Sequence, residues 1–506
     1  MLKDFKNLNV VTNDILQYAA KRTIESGATA QELMSDVAHR VVSAVKHHKS
    51  SSLKIDILCG PGNKGGIGFV IANLLKELKF RVRVFVYLSP DKVFKTQAAY
   101  AAKQYTGKIE KIADFAPDPE NLIIDALFGS NIHNNIEAPY NHLIDTVNAG
   151  SKAGVIAIDL PSGVYGNTGK IMGVAIEADS TIAFDRLRPA HMLFPSHALC
   201  GTISLVSTNI QEVFLSPSSE HFSHQVHVNE QRFYNNLIPK LDPCLHKYKR
   251  GYTLILSGGI KSTGAARLAA RAAARAGAGI VKIGAPRDAI PIIAAHETSI
   301  IPCDVSDKTT FEKQLSDDRL GCLIAGPGLE LNHRGEVMMQ TIIDYICQKN
   351  LHAVLDADIL TLIAMHKKEH YPNFQNKVLL TPHEGEYERL FPEYVKKDKI
   401  TQARYAAKQM NAVCLLKGPD TVIAAPDGRV AIQTKPCFNL ATAGSGDLLA
   451  GIAGGLIARN MPIFEAACAA AIVHSDAGEK SNYGALAEDI VHHIAPPIAY
   501  KHRRIF

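Results

Sequence analysis

Asn439-Leu-Ala-Thr-Ala-Gly-Ser-Gly-Asp447 runs directly into the apolar stretch Leu448–Ala458. Gly444 and Gly446 open backbone conformations closed to other residues. They lead into a helix start, where unpaired N–H groups and the helix dipole favour an anion. Asp447 stands at that start. A carboxylate there can take the proton of a substrate hydroxyl as the hydroxyl attacks a phosphoryl group, while neighbouring amides stabilise the charge that develops. Taken alone, Gly-x-Gly-Asp is more often an ordinary helix start with an N-terminal acid.

The surroundings change that balance. Leu416-Lys-Gly-Pro-Asp-Thr421 follows a strand and offers amides, a cation and a hydroxyl to a nucleotide. Gly326-Pro-Gly328 and Thr381-Pro-His-Glu-Gly-Glu386 also follow strands. Thr253–Leu256, Ile280–Ile283, Cys322–Ala325, Ala353–Asp356 and Val413–Leu416 read as buried strands, with Ala-rich helical stretches such as Ala265–Ala276 between them. Each loop lies at the carboxyl end of a strand, where open α/β sheets bind ligands. Upstream, Leu53–Cys59, Val82–Leu88, Leu122–Leu127 and Val155–Leu160 repeat the alternation. The expectation is two doubly wound α/β domains, residues 1–220 and 225–506, with a polar joint near Ser216–Val228.

Across roughly His246 to Ile498 the motifs resemble the ADP- or ATP-dependent NAD(P)H-hydrate dehydratases, a ribokinase-like branch. They are His246-Lys247 with Gly251, Ser257-Gly-Gly with Thr263-Gly-Ala-Ala266, Arg275-Ala-Gly-Ala-Gly279, Gly326-Pro-Gly-Leu329, Leu355-Asp-Ala-Asp358, Thr381–Glu386, Lys417-Gly418 and Ala441–Asp447. Pro436-Cys-Phe438 replaces the family's Asn-Pro turn. The resemblance implies that Lys417, Gly418, Pro419, Asp420, Thr421 and Gly446 hold ADP or ATP, and nucleotide phosphate chemistry implies Mg2+ with it. The resemblance also implies that Gly264, Gly328, His383 and Asp447 face a hydrated nicotinamide nucleotide, with Asp447 as base. A lone His after a strand is more often structural, which sets His383 evenly between the two roles.

Cys59-Gly-Pro-Gly-Asn-Lys-Gly-Gly-Ile-Gly68 also follows a strand and opens a helix, so it is a candidate phosphate cradle, though neither a Walker loop nor a dinucleotide fingerprint. Asp125 and Asp159 each end a buried strand. Residues 10–210 resemble the NAD(P)H-hydrate epimerase domain, through Asp125-Ala-Leu-Phe-Gly129, Ala157-Ile-Asp-Leu-Pro-Ser-Gly163, Thr168-Gly169 and Ala178-Asp179. That resemblance implies a Rossmann-like fold. It makes Asp159 the catalytic carboxylate, sets Asn63, Gly65, Gly66, Gly129 and Asp159 against substrate, and places K+ on Asp125 and Ser162. Four places depart from the family: Lys64 and Ile67 stand for Asn and Asp, Ser130–Asn135 replaces a Thr-Gly-Leu run, Met34-Ser-Asp-Val37 replaces Met-Glu-Asn-Ala, and Arg188 replaces Lys. Lys64 stands at a potassium-binding position, so its ammonium is expected to pair with Asp125 in the ion's place. The rival expectation is an inactive domain with Lys64 in solvent.

Bulk properties narrow the rest. The 506 residues are 46% hydrophobic and 21% charged, as in folded globular chains, and the formal charge of +6 is too small and too dispersed to suggest nucleic acid. Nine cysteines without a CxxC pair suggest reduced, mostly buried thiols. The amino terminus lacks the apolar core of a signal peptide, and no apolar run reaches the ~20 residues that span a bilayer. A cytoplasmic homo-oligomer acting on NADHX and NADPHX, without membrane or nucleic-acid partners, is expected. Two alternatives are a small-molecule kinase of the ribokinase-like kind, and an amino-terminal half that only binds nucleotide or mediates assembly.

Overall fold

The computed structural model describes residues 9–48, 54–87, 97–151, 153–215, 226–240, 244–366 and 371–497, and separates into two compact units, Met1–Val226 and His227–Phe506. Most of the connection expected near Ser216–Val228 falls outside the described residues.

In the first unit, β1 (Asn9–Val10) precedes helices α1 (Asn13–Glu25) and α2 (Ala30–His48). The sheet is built from β2 (Lys54–Cys59), β3 (Arg81–Val86), β4 (Ile109–Lys111), β5 (Leu122–Ala126), β6 (Val155–Ile158), β7 (Ser180–Phe184) and β8 (Thr202–Val206). Its order is β4-β3-β2-β5-β6-β7-β8, and every pairing is parallel. Side chains alternate between faces. Ile55 and Ile57 join Val41, Phe69 and Leu75 in one core, and Leu58 and Ile123 join Leu143 and Ile144 in the other. Burial on both faces is why these strands are continuous apolar runs. The strand order reverses between β2 and β5, so the loops after Cys59 and Ala126 flank the crevice where such sheets place ligands.

The second unit contains β9 (Val226–Val228), β10 (Tyr252–Leu256), β11 (Ile280–Ala285), β12 (Ile301–Asp304), β13 (Cys322–Ala325), β14 (Ala353–Leu355), β15 (Val378–Leu380), β16 (Val413–Leu416), β17 (Asp420–Ala424) and β18 (Val430–Thr434). Seven strands, β16-β15-β14-β13-β10-β11-β12, run parallel, and β17 and β18 continue the sheet antiparallel. Doubly wound α/β thus holds in both halves.

Helix α3 (Asn63–Glu77) belongs to the first unit. In the second, α4 (Thr263–Arg275), α5 (Glu384–Leu390) and α6 (Ser445–Ala458) carry or brace the site. The alanines of α4 are small for a reason. A Cβ on Gly451 would lie 2.2 Å from the Ala269 carbonyl oxygen, and one on Gly455 would lie 2.7 Å from that of Ala273. On its other side α6 meets β13, where a Cβ on Gly454 would strike Ile324 at 2.5 Å. The helix that presents Asp447 is therefore clamped between α4 and the sheet, at backbone contact distance.

Candidate active sites

Gly444, at φ +87°, makes the left-handed turn that starts α6, and Asp447 falls in the first turn. Lys417 reaches this point from the end of β16, donating to Asp356 at 2.7 Å and lying 3.7 Å from Glu386. Burial alone would lower the Lys417 pKa, but Asp356, Glu386 and Asp447 together outweigh it and hold the ammonium above its usual value. Asp447 is pushed up to about 7, first by burial and then by the charges of Asp356 and Asp358, with Lys417 opposing. A Cβ on Gly446 would sit 3.6 Å from the Lys417 ammonium. The helix start therefore opens directly towards that cation.

A cavity of about 530 Å3 lies beside this cluster. Lys417, Gly418, Pro419, Thr421 and Gly446 line it, which brings together five of the six positions expected to hold nucleotide. Asp420 turns elsewhere: it is buried, and its carboxylate receives Lys399 at 2.5 Å. The expected substrate contacts are more dispersed. Gly264 has open space where a side chain would be. Gly328, at φ +64°, forms the turn after β13, with the Ser262 carbonyl 2.7 Å from a would-be Cβ. His383 caps α5, its Nδ1 accepting from the amides of Gly385 and Glu386, while Glu386 accepts from the His383 amide. The imidazole thus has a structural task, and its Nε2 lies 3.4 Å from Glu386.

Residues given no role from sequence complete the site. Asp356 anchors Lys417, and Glu386 reinforces it. Lys435 lines the cavity while paired with Asp476 at 2.6 Å and Glu479 at 2.7 Å. His474 also lines it, and burial pulls its pKa down to about 4, so it is neutral near pH 7. The signal for Asp356 was an acid at the end of a buried strand, which many α/β proteins use as a loop anchor.

Among the described residues no three or more His, Cys, Asp or Glu side chains form a metal-holding group. Magnesium commonly needs only one or two carboxylates because phosphates and waters complete its shell. Asp356 and Asp358 lie near enough to raise the Asp447 pKa, so this cluster suits an ion that arrives on the nucleotide.

In the first unit a cavity of about 420 Å3 is lined by Asn63, Gly129 and Asp159, together with Lys64, Ile67 and Arg188. Gly65 and Gly66 turn into the protein instead. A Cβ on Gly65 would lie 1.9 Å from the Gly60 carbonyl, and one on Gly66 would lie 2.9 Å from the Ala98 backbone. Asp159 adopts φ +68°, a conformation non-glycine residues seldom take, as strained positions at functional sites often do. Arg188 forms an ion pair with its carboxylate. Burial pulls the Arg188 pKa down to about 9, which still leaves the guanidinium charged at neutral pH. His191, missed in the sequence, fastens the pair. Its Nδ1 accepts from the Arg188 amide, so its Nε2–H donates to the Asp159 carbonyl at 2.6 Å. Burial, with Arg188 and His197 adding to it, holds His191 well below its usual pKa, consistent with that neutral tautomer.

Potassium does not fit the position that Asp125 and Ser162 were expected to give it. Both already bond the ammonium of Lys64, at 3.1 and 3.0 Å. Lys64 is buried, not in solvent.

Residues 253–496 match the NAD(P)H-hydrate dehydratase family, and residues 30–190 match the family described as YjeF-related protein N-terminus. The bifunctional NAD(P)H-hydrate repair enzyme Nnr of Coxiella burnetii is 30% identical over 93% of this chain and 95% of its own length. The protein of that name from Salinibacter ruber is 30% identical over 94% and 92%, and that from Escherichia coli 29% identical over 90% and 85%. Among solved structures, the ADP/ATP-dependent NAD(P)H-hydrate dehydratase from Bacillus subtilis co-crystallised with ATP and Mg2+ is similar at 26% identity, with a TM-score of 0.46, covering 53% of this chain and 95% of that one. With both halves matched in order and relatives aligned over nearly its whole length, the chain belongs to the family of bifunctional NAD(P)H-hydrate repair enzymes.

Proposed function

We propose that the carboxy-terminal unit dehydrates the S form of hydrated NADH and NADPH at the expense of ADP or ATP, and that the amino-terminal unit interconverts the R and S forms. The observation that carries the first part is Asp447, raised to about 7 at a helix start that opens onto Lys417 and the nucleotide-sized cavity. A base works best with a pKa near the working pH.

Hydration of the nicotinamide ring leaves a hydroxyl, a poor leaving group. Asp447 takes its proton as the oxygen bonds to the terminal phosphorus of the nucleotide, and the bond from that phosphorus to the bridging oxygen breaks. Lys417 and the amides at Gly418 and Gly446 offset the charge on the transferring group. Bound magnesium would neutralise phosphate charge beside Asp447. The ring nitrogen's lone pair then expels phosphate, and loss of a ring proton restores the dihydronicotinamide. Family membership favours this outcome over a small-molecule kinase that would stop at the phosphate ester.

In the amino-terminal cavity, Asp159 is the acceptor for a substrate proton, and Arg188 fixes its direction. The test supplies the full-length protein with both epimers, magnesium and ADP, then ATP, and follows each epimer separately. The S form should disappear at an enzymatic rate, and the R form faster than its uncatalysed conversion. An R form that lags at the uncatalysed rate removes the amino-terminal assignment and favours a binding module. No consumption of either epimer with either nucleotide removes the whole reading.

A further inference from the structure

Lys64 is buried at the start of α3, and its ammonium meets three oxygens from different elements. They are the Asp125 carboxylate at 3.1 Å, the Leu160 carbonyl at 2.8 Å and the Ser162 hydroxyl at 3.0 Å. None of them can supply a proton to nitrogen. The carbonyl and the carboxylate only accept, and the Ser162 hydroxyl spends its single hydrogen on Asp125 at 2.5 Å. Three acceptors match the three N–H bonds of an ammonium. A neutral amine has two and would leave one acceptor unanswered. Burial pulls the Lys64 pKa down and Asp125 pulls it up, with burial the larger. The count of acceptors nevertheless selects the charged form.

This arrangement is a monovalent-cation cage: one anionic ligand, one carbonyl and one hydroxyl, closed around a positive centre of potassium-like size. The geometry points to Lys64 as a tethered cation that permanently occupies a monovalent-ion site, making the amino-terminal unit indifferent to potassium and holding the Asp159–Ser162 turn in place. The link to the turn is direct. Leu160 follows Asp159, whose φ of +68° has to be maintained by its surroundings, and the Ser162 amide is fixed by Asp125 at 2.7 Å. Lys64 is therefore a positioning residue, and the inference stands on this geometry whether or not the amino-terminal unit turns over.

Hydrogen–deuterium exchange on the full-length chain tests it. The segments to follow are 122–130 and 156–164, in potassium, ammonium or choline chloride at equal ionic strength. In the unaltered protein, exchange there should be the same in all three salts. Lys64→Ala should exchange roughly 5- to 30-fold faster in choline and regain most of its protection in potassium or ammonium. Lys64→Met, which keeps the stem but lacks the charge, should lose protection in every salt. Three results would overturn the inference: protection of the unaltered protein that rises with potassium, a Lys64→Ala variant that ignores the salts, or a Lys64→Met variant as protected as the original. If Lys64→Ala unfolds in choline, folding restored by potassium or ammonium supports the cage, and failure to fold in any of the salts counts against it.

Discussion

Each unit sets a lysine against an aspartate at the end of a central parallel strand, and the two lysines have opposite fates. Lys417 keeps 19% of its side chain exposed and touches Asp356 and Glu386. Lys64 keeps 5%, and its three donors are all spent on protein oxygens. The difference lies in the acceptors around the ammonium. Two carboxylates leave a donor and a field for a phosphate. A carboxylate, a carbonyl and a hydroxyl consume everything a lysine can offer. A lysine–aspartate pair thus has a donor to offer a ligand only where its other acceptors leave one.

Losing the Asp447 carboxylate should separate the activities of the two units most widely. Asp447→Asn should cut the turnover of S hydrate by about 10²–10⁴-fold and leave R–S interconversion untouched. A fall in both, measured epimer by epimer, would mean that the halves do not work separately. Asp159→Asn is the mirror experiment: consumption of the R form should drop to its uncatalysed rate while S turnover is unchanged. Lys417→Met should lower nucleotide-dependent turnover by about 10²-fold, the scale of losing one charge-stabilising donor. Lys64→Met should leave S turnover alone.

Acidity sharpens the contrast further. Asp447 is raised to about 7, so it is protonated below that pH and ionised above. Only the ionised form can accept a proton. kcat/KM for the S form should therefore fall about tenfold per pH unit below 7 and level off above it. A profile flat from pH 5 to 8 would exclude Asp447 as the base. The smallest effect expected is on stability. Gly451→Val should cost about 1–3 kcal/mol by forcing α6 off α4, read as a lowered denaturation midpoint of the second unit.

Central strands were legible because burial on both faces makes them unbroken apolar runs. Cys322–Ala325 and Val413–Leu416 lie where the apolar pattern put them. Edge strands were not. Ile109–Lys111 and Ile301–Asp304 are short, partly polar, and the latter contains a proline. Their state is set by the neighbour they pair with, which local pattern does not encode. The glycine turn at Gly444 and the helix start carrying Asp447 could be read because their signal is local. Asp420 sat in the same nucleotide motif, yet its carboxylate is claimed by Lys399, 21 residues away in sequence. His383 looked like a ligand contact and is also a helix cap. The pairing of Lys64 with Asp125 was foreseeable from residue identity, but the third acceptor, a main-chain carbonyl at Leu160, has no side-chain signature.

The glycine contacts of α6 limit how this protein can change. Gly451 and Gly455 bring that helix against backbone oxygens of α4, and Gly454 seats it on the sheet, so it has almost no room to slide or turn. Asp447 is thereby aimed before any substrate arrives. Variation that broadens or redirects substrate choice should accumulate where a side chain has room, as at Gly264, where a would-be Cβ meets nothing within 4 Å. The helix itself should resist substitution. A library randomised on α6 should yield mostly misfolded protein, whereas one randomised at Gly264 should yield folded enzymes with new preferences.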